Sequence, residues 1–188
     1  MDQTRAAVLR AARAQLEAKG YRKVTMASLA AESGVTRQTI HNLFGTKAGV
    51  LEALFDAIAL DGGMDGMREV MTQSSGEAML EGFVRMFCRF WAGHRLLHRR
   101  IHGIGAVDPE LGVVVEARNQ RRRGAALRVV SRMGVHEDAG ERAAALAALT
   151  SFEFFDALVE NGSDEDRATQ LVLEMARELF AQQLKQAR

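Results

Sequence analysis

Three observations predict an all-α fold. One proline in 188 residues, with few β-branched or aromatic side chains and many Ala, Leu, Arg, Glu and Met, is a helix-favouring composition. Apolar residues recur at i, i+3, i+4 spacing along most of the chain. Ser, Thr or Asp precedes these stretches and Gly follows them, as helix starts and stops require. The length allows one domain or a small domain joined to a larger one.

The first helix is expected over Gln3 to Lys19, where Val8, Leu9, Ala12 and Leu16 recur at helical spacing before Gly20. Thr25 caps a short helix, Met26 to Glu32, with Met26, Leu29 and Ala30 inward, and Ser33-Gly34 breaks it. Thr36 caps the next, Arg37 to Phe44, whose buried side is Ile40, Leu43 and Phe44, and Gly45 closes it. Thr46 caps a fourth, in which Leu51, Leu54, Phe55 and Ile58 form a stripe ending at Asp61-Gly62-Gly63. Two short helices joined by a Gly-containing turn and braced by longer ones describe a helix-turn-helix module.

Beyond residue 63 longer helices follow: about Glu77 to Trp91, then a shorter one to Ile101, with a break at Gly103 and Gly105. Asp108 caps and Pro109 opens a helix running to about Met133, stopped by Gly134. The last two are expected over about Asp138 to Glu160 and from a Ser163 cap to about Lys185, which makes about nine in all.

The net charge of +1 hides an asymmetry. Residues 1–50 hold eight Lys/Arg against three Asp/Glu, net +5, and residues 51–188 hold seventeen against twenty-one, net −4. The basic end is the one suited to a polyanion. Cys88, the single cysteine, lies near Phe87 and Phe90 and is expected to be a buried thiol in a reducing compartment. The first residues are charged, and no apolar run approaches the roughly 18 residues a membrane span needs. A cytoplasmic location is expected.

On a helical wheel the Arg37 helix turns Thr36, Arg37, Gln38, His41 and Asn42 outward or to its edge. Arg can bind guanine O6/N7 through two bonds, Gln and Asn can do the same to adenine, and a major-groove helix reads base edges mostly with its N-terminal residues. Phosphates need cations, hydroxyls and free helix N-terminal amides, and Thr25, Thr46 and Lys47 stand at such N-termini. Thr25, Thr36 and Thr46 can equally be caps and nothing more.

The stretch "VLRAARAQLEAKGYRKVTMASLAAESGVTRQTIHNLFGTKAGVLEALF", residues 8 to 55, resembles the DNA-binding domain of the tetracycline-repressor (TetR) family of bacterial transcriptional regulators. Its "KGY" turn, Thr-opened second helix, "AAESGVTRQTI" and F-x-x-K spacing carry the likeness. The resemblance implies a nine-helix homodimer with the Thr36 to Phe44 helix as recognition helix, Lys47 on the DNA backbone and an inducer pocket in the later helices. This sequence departs at His41, where the family usually has a phosphate-contacting tyrosine, and at Arg13 and Gln15, in places often apolar. Gly49 is expected to loosen the first turn of the fourth helix.

Two apolar faces mark the Asp138 to Glu160 segment: Ala148, Phe152, Phe155 and Val159 on one, and Leu146, Thr150, Phe154, Ala157 and Leu158 on the other. The last helix divides similarly, with Val172, Met175 and Leu179 opposite Leu173, Phe180 and Leu184. One face of each is expected to meet the core and one a partner copy, through Phe152, Phe155, Val159, Val172, Met175 and Leu179, or else both lie inside one larger monomer. A twofold dimer would read a palindromic operator.

Met64, Met67 and Met71, with Phe83, Phe87, Phe90, Trp91 and Phe152, can line an adaptable apolar effector pocket or be ordinary core. His94, His98 and His102 fall at i, i+4, i+8 near one helical face. That row leaves open a metal, a polar effector lined by His94 and His98, or simple packing, and the interleaved Arg95, Arg99 and Arg100 oppose a divalent cation. "RNQRRRG", Arg118 to Gly124, reads as a solvated face or an interhelical salt-bridge strip.

No nucleotide loop, catalytic triad or paired-carboxylate motif suggests an enzyme, and no cofactor or metal is expected. The sequence thus predicts a three-helix DNA-binding domain over residues 1–47 and a helical effector-binding and dimerisation domain over residues 48–188. Together they would form a homodimeric, ligand-responsive repressor released from palindromic double-stranded DNA by a small molecule. The alternative is an all-helical small-molecule or metal-sensing protein without sequence-specific DNA binding.

Overall fold

The computed structural model describes residues 3–186, which fold into helices with no strand among them. Helix α1 (Gln3–Lys19) is followed by a short 3-10 turn at Tyr21–Lys23 and then, through tight connections, by α2 (Met26–Ser33), α3 (Arg37–Phe44) and α4 (Lys47–Asp61). After a second 3-10 turn, Met64–Gly66, come α5 (Met67–Val70), α6 (Gly76–Gly93), α7 (Arg95–Gly105) and α8 (Pro109–Arg132). The chain continues through α9 (Ala139–Leu149), α10 (Phe152–Glu160), α11 (Glu165–Leu179) and α12 (Ala181–Gln186).

Packing divides the chain into two compact units. One holds the residues up to Asp61 together with Leu96–Ala117, and the other holds Gly62–Arg95 and the chain from Arg118 onward. In the first, α1 packs on α2 and α4, and α3 rests against both α2 and α4. Val8, Ala12, Leu16, Leu29, Ile40, Val50 and Leu51 are fully buried there. In the second, α11 packs against α6, α9 and α10, around Phe83, Val84, Leu146, Phe155, Val172 and Phe180.

Local chemistry sets the helix-turn-helix. Thr25 Oγ1 accepts from the Ser28 amide at 3.0 Å while Ser28 Oγ accepts from the Thr25 amide at 2.9 Å, a reciprocal box that fixes the start of α2. Gly34 ends α2 with φ 73°, a left-handed conformation that glycine adopts without a Cβ clash.

The polar Gln15, only 2% exposed, is accommodated by two bonds. Its Nε2 donates to Glu32 at 2.7 Å and its Oε1 accepts from Ser28 Oγ at 2.7 Å, so α1 is tied to α2 through a buried polar side chain.

The twelve α-helices among the described residues exceed the expected nine by one short segment, α5, and by two breaks. Instead of running unbroken from Asp138 to Glu160, the chain stops at Thr150 and restarts at Phe152. Thr150 Oγ1 donates back to the Leu146 carbonyl at 2.8 Å, and Ser151 Oγ accepts from the Phe154 amide at 3.2 Å as a new cap. The Trp91 indole N–H donates to the Thr150 carbonyl at 3.0 Å, replacing the helical donor that the break removes. The second break is at Phe180, fully buried, between α11 and α12. Asp164 rather than Ser163 caps α11, accepting from the Arg167 amide at 2.7 Å.

Gly49 does not loosen α4. A Cβ at Gly49 would lie 2.0 Å from the Phe44 carbonyl oxygen, so the absence of a side chain lets α4 start directly against the end of α3.

Candidate nucleic-acid interface

Helix α3 is held at its start by Thr36, whose Oγ1 accepts from the Thr39 amide at 3.1 Å and shares a 2.9 Å hydroxyl contact with Thr39. Ile40 is fully buried, while Leu43 and Phe44 are half-buried. The Arg5 guanidinium covers Phe44, 4.7 Å from its ring centroid. This anchoring fixes the roll of the helix and leaves Arg37, Gln38, His41 and Asn42 exposed together. They form two columns at i, i+4 spacing, Arg37 with His41 and Gln38 with Asn42. In the second column Gln38 Nε2 donates to Asn42 Oδ1 at 2.9 Å.

Thr25, Thr36 and Thr46 all act as caps, Thr46 Oγ1 accepting from the Gly49 amide at 3.1 Å. Lys47, in the first turn of α4, is half-buried. Its ammonium donates to the Tyr21 carbonyl at 3.2 Å and sits 3.4 Å from the Tyr21 ring centroid. Burial lowers its pKa, against the smaller opposing pull of Asp108 and Glu110.

Sequence reasoning missed what lies on the other side of that tyrosine. Tyr21 Oη donates at 2.8 Å to Glu110 in the first turn of α8, and burial, then the carboxylate, push the phenol pKa up. Residues 89 positions apart leave no periodic signal. The chain's own fold thus ties the tight turn before α2 both to the start of α4 and to the start of α8.

In the second unit, Phe83, Phe87, Phe90, Trp91 and Phe152 come together as a buried aromatic cluster. Phe83 meets Phe87 at 5.0 Å between centroids, Phe90 meets Trp91 at 4.7 Å, and Trp91 meets Phe152 at 5.7 Å. Met64, Met67 and Met71 are half-buried, on the 3-10 turn and either end of α5. Arg122, in the run expected to be a solvated face or an interhelical salt-bridge strip, is only 8% exposed. Its guanidinium lies 6.0 Å from the Phe87 centroid and 5.9 Å from that of Trp91, an arrangement its planar cation and apolar stem allow. A 290 Å³ groove lies elsewhere, in the first unit, lined by Ala7, Arg10, Ala11, Ala14, Glu32 and Ser33.

The expected histidine row is interrupted. His94 has a non-helical backbone between α6 and α7, so it does not continue the face of His98 and His102. Those two rings meet edge to face at 6.3 Å, with His98 4% exposed. No group of three or more His, Cys, Asp or Glu able to hold a metal ion occurs among the described residues. Of the expected interface set, Phe152, Phe155 and Val172 are buried within the chain itself, Val159 and Leu179 are half-buried, and Met175 is 41% exposed. No helix among the described residues is long and apolar enough to cross a membrane.

Residues 8–54 match the family model of the bacterial regulatory proteins of the tetR family. Solved structures extend the likeness to nearly the whole chain. A protein from Syntrophomonas wolfei assigned to the TetR-family transcriptional regulators is 16% identical, with a TM-score of 0.79 over 95% of each chain. A TetR transcription regulator from Haloarcula marismortui is 15% identical, with a TM-score of 0.70 over 96% of this chain and 98% of that one. A TetR-like transcriptional regulator from a Rhodococcus species is 19% identical, with a TM-score of 0.67 over 94% and 95%. No curated protein matches the sequence.

Proposed function

We propose that the chain, whose residues 8–54 match the tetR-family model, is a TetR-family transcriptional regulator: a homodimeric, ligand-responsive repressor of a palindromic DNA operator. The observation that carries this reading is α3, capped by Thr36 and pinned by Ile40, with Arg37, Gln38, His41 and Asn42 exposed on one face of a basic segment. Arg37 and Gln38, in the first turn, read base edges, and His41 and Asn42 follow them along the groove. Thr25, Thr36 and Thr46 sit at helix N-termini whose amides attract phosphate. Lys47 contacts the backbone after its ammonium leaves the Tyr21 carbonyl.

Residues 1–47 form the DNA-binding domain and 48–188 the effector-binding and dimerisation domain. The aromatic cluster of Phe83, Phe87, Phe90, Trp91 and Phe152, with Met64, Met67, Met71 and His94 of the same unit, accepts a small-molecule effector. Dimerisation uses the faces of α10 and α11 around Val159, Met175 and Leu179, which one chain leaves at least partly uncovered. Effector binding favours a spacing of the two recognition helices that no longer fits adjacent half-sites, through a coupling of about 1–3 kcal/mol. Helix α4, which follows the DNA-binding segment directly, is the mover. The protein works in the cytoplasm and catalyses no reaction.

Selection of genomic fragments by the purified full chain tests this. Enrichment of one palindrome is expected, with base preference relaxed at one position by Arg37→Ala and affinity lowered uniformly by Lys47→Ala. Salt-sensitive binding without sequence preference, or none, would overturn the reading.

A further inference from the structure

The bond between Gln38 and Asn42 goes further than their exposure. Gln38 Nε2 carries two hydrogens, and one is committed to Asn42 Oδ1 at 2.9 Å. The second hydrogen and Gln38 Oε1 remain as a donor and an acceptor side by side. That is the complement of one base edge in the major groove: adenine presents N7 as acceptor and the N6 amine as donor. Guanine presents two acceptors there and cannot satisfy Oε1. The direction of the Asn42 bond therefore matters. An amide turned the other way, with Oε1 accepting from Asn42, would exchange donor and acceptor along the groove and no longer match adenine N7 and N6 in the same register.

We propose that Gln38 reads one adenine in each operator half-site, and that Asn42 is a positioning residue that sets this preference by holding the Gln38 amide in its adenine-reading orientation. Asn42 lies one helical turn behind Gln38, on the same exposed column, so its carbonyl restrains the longer, freely rotating side chain before DNA arrives. Restraint in the reading geometry removes part of the ordering cost of binding. It also suppresses the flipped amide, whose donor and acceptor are exchanged relative to adenine N7 and N6 at that position.

This inference rests on the operator-binding reading above, and its test separates the two. The full chain and its variants are used to select from a randomised duplex library, and the chosen duplex is then made with 7-deazaadenine, which lacks the N7 acceptor, at the position in question. The parent protein is expected to enrich adenine there over the other bases, and Gln38→Ala to reduce that ratio by about tenfold or more. Asn42→Ala is expected to reduce the same ratio at the same position. Asn42→Asp keeps the accepting oxygen, so it should keep the adenine ratio while lowering affinity for all sequences through repulsion of phosphates.

The 7-deazaadenine duplex should bind the parent and Asn42→Asp more weakly, and leave Gln38→Ala unaffected. A palindrome whose adenine ratio survives Gln38→Ala, or is indifferent to loss of N7, overturns adenine reading while leaving the regulator reading intact. An unchanged ratio in Asn42→Ala, or a lost one in Asn42→Asp, overturns the positioning role. Failure of the parent protein to select any sequence overturns the regulator reading itself, and this inference with it.

Discussion

Replacing Gly49 with alanine sets two physical effects against each other, and the structure decides between them. In an ordinary helix position the exchange stabilises by about 1 kcal/mol, because glycine loses more backbone freedom on folding. At Gly49 the new Cβ would stand 2.0 Å from the Phe44 carbonyl oxygen and 3.2 Å from its carbonyl carbon. Ordinary carbon–oxygen contacts begin near 3.3 Å, so the oxygen must retreat by roughly 1.3 Å. It is not free to do so, because the same oxygen accepts from the Thr46 amide at 2.8 Å in the turn between α3 and α4. Either that bond breaks or the end of α3 is pushed off α4.

Overpacking against backbone costs about 1–3 kcal/mol or more, which exceeds the propensity gain. Gly49→Ala is therefore expected to destabilise by about 2 kcal/mol, lowering Tm by about 4–8 °C, and to weaken operator binding if α3 carries the reading residues as proposed. The assay is thermal and urea unfolding at fixed protomer concentration, with Gly124→Ala in parallel. Gly124 lies inside α8 with nothing within 4 Å of a Cβ, so alanine there should stabilise by up to about 1 kcal/mol. A Gly49→Ala protein as stable as its parent would refute the steric argument.

Two further outcomes follow from buried groups. Tyr21→Phe removes the donor to Glu110, and because that carboxylate is exposed the loss should be only about 1 kcal/mol, visible as a Tm drop of about 2–4 °C, while Glu110→Gln, which retains an acceptor, should lose less. An unchanged Tm in Tyr21→Phe would show that water replaces the bond without loss. Burial pushes the Cys88 thiol pKa up to about 11 from 9.0. A raised folded-state pKa means the folded chain holds the proton more tightly, so the thiol's contribution to stability is intact below pH 9 and declines as pH rises towards 11. Unfolding free energy in the parent should fall by about 2 kcal/mol more across that interval than in Cys88→Ala, and parallel pH profiles would exclude the effect.

Most of the helix-turn-helix was legible because its determinants are local. A cap and its amide lie three residues apart, as in Thr25 with Ser28, Thr36 with Thr39, and Thr46 with Gly49, so type and spacing suffice. The outward column of α3 follows from 3.6-residue periodicity once Ile40 is placed inside.

The features that escaped the sequence depend on distant partners. Apolar spacing continues through Thr150 and Ser151 into Phe152 and Phe155, so periodicity extends one helix across a break that the Trp91 indole supports from another element. Gln15 reads as a flaw in an apolar face until Ser28 and Glu32 meet both ends of its amide. Gly49 reads as a weak point until Phe44 is seen to need the space.

Lys47 is the sharpest case. Its position in the sequence marks it as a phosphate contact, yet the fold turns its ammonium inward onto the Tyr21 carbonyl, and Tyr21 in turn holds Glu110 at the start of α8. A side chain that must leave one partner to reach another exchanges bonds rather than simply gaining one. In the proposed role as a phosphate contact, its contribution to DNA affinity is therefore expected to be smaller than that of a freely exposed lysine, and to rise when Tyr21 is displaced. The same tyrosine joins the turn before α2 to the first turn of α8, so displacement of either helix end changes what Lys47 must give up. The strength of the proposed Lys47 contact with DNA is in this way set partly by a residue pair, Tyr21 and Glu110, that lies outside the α3 helix.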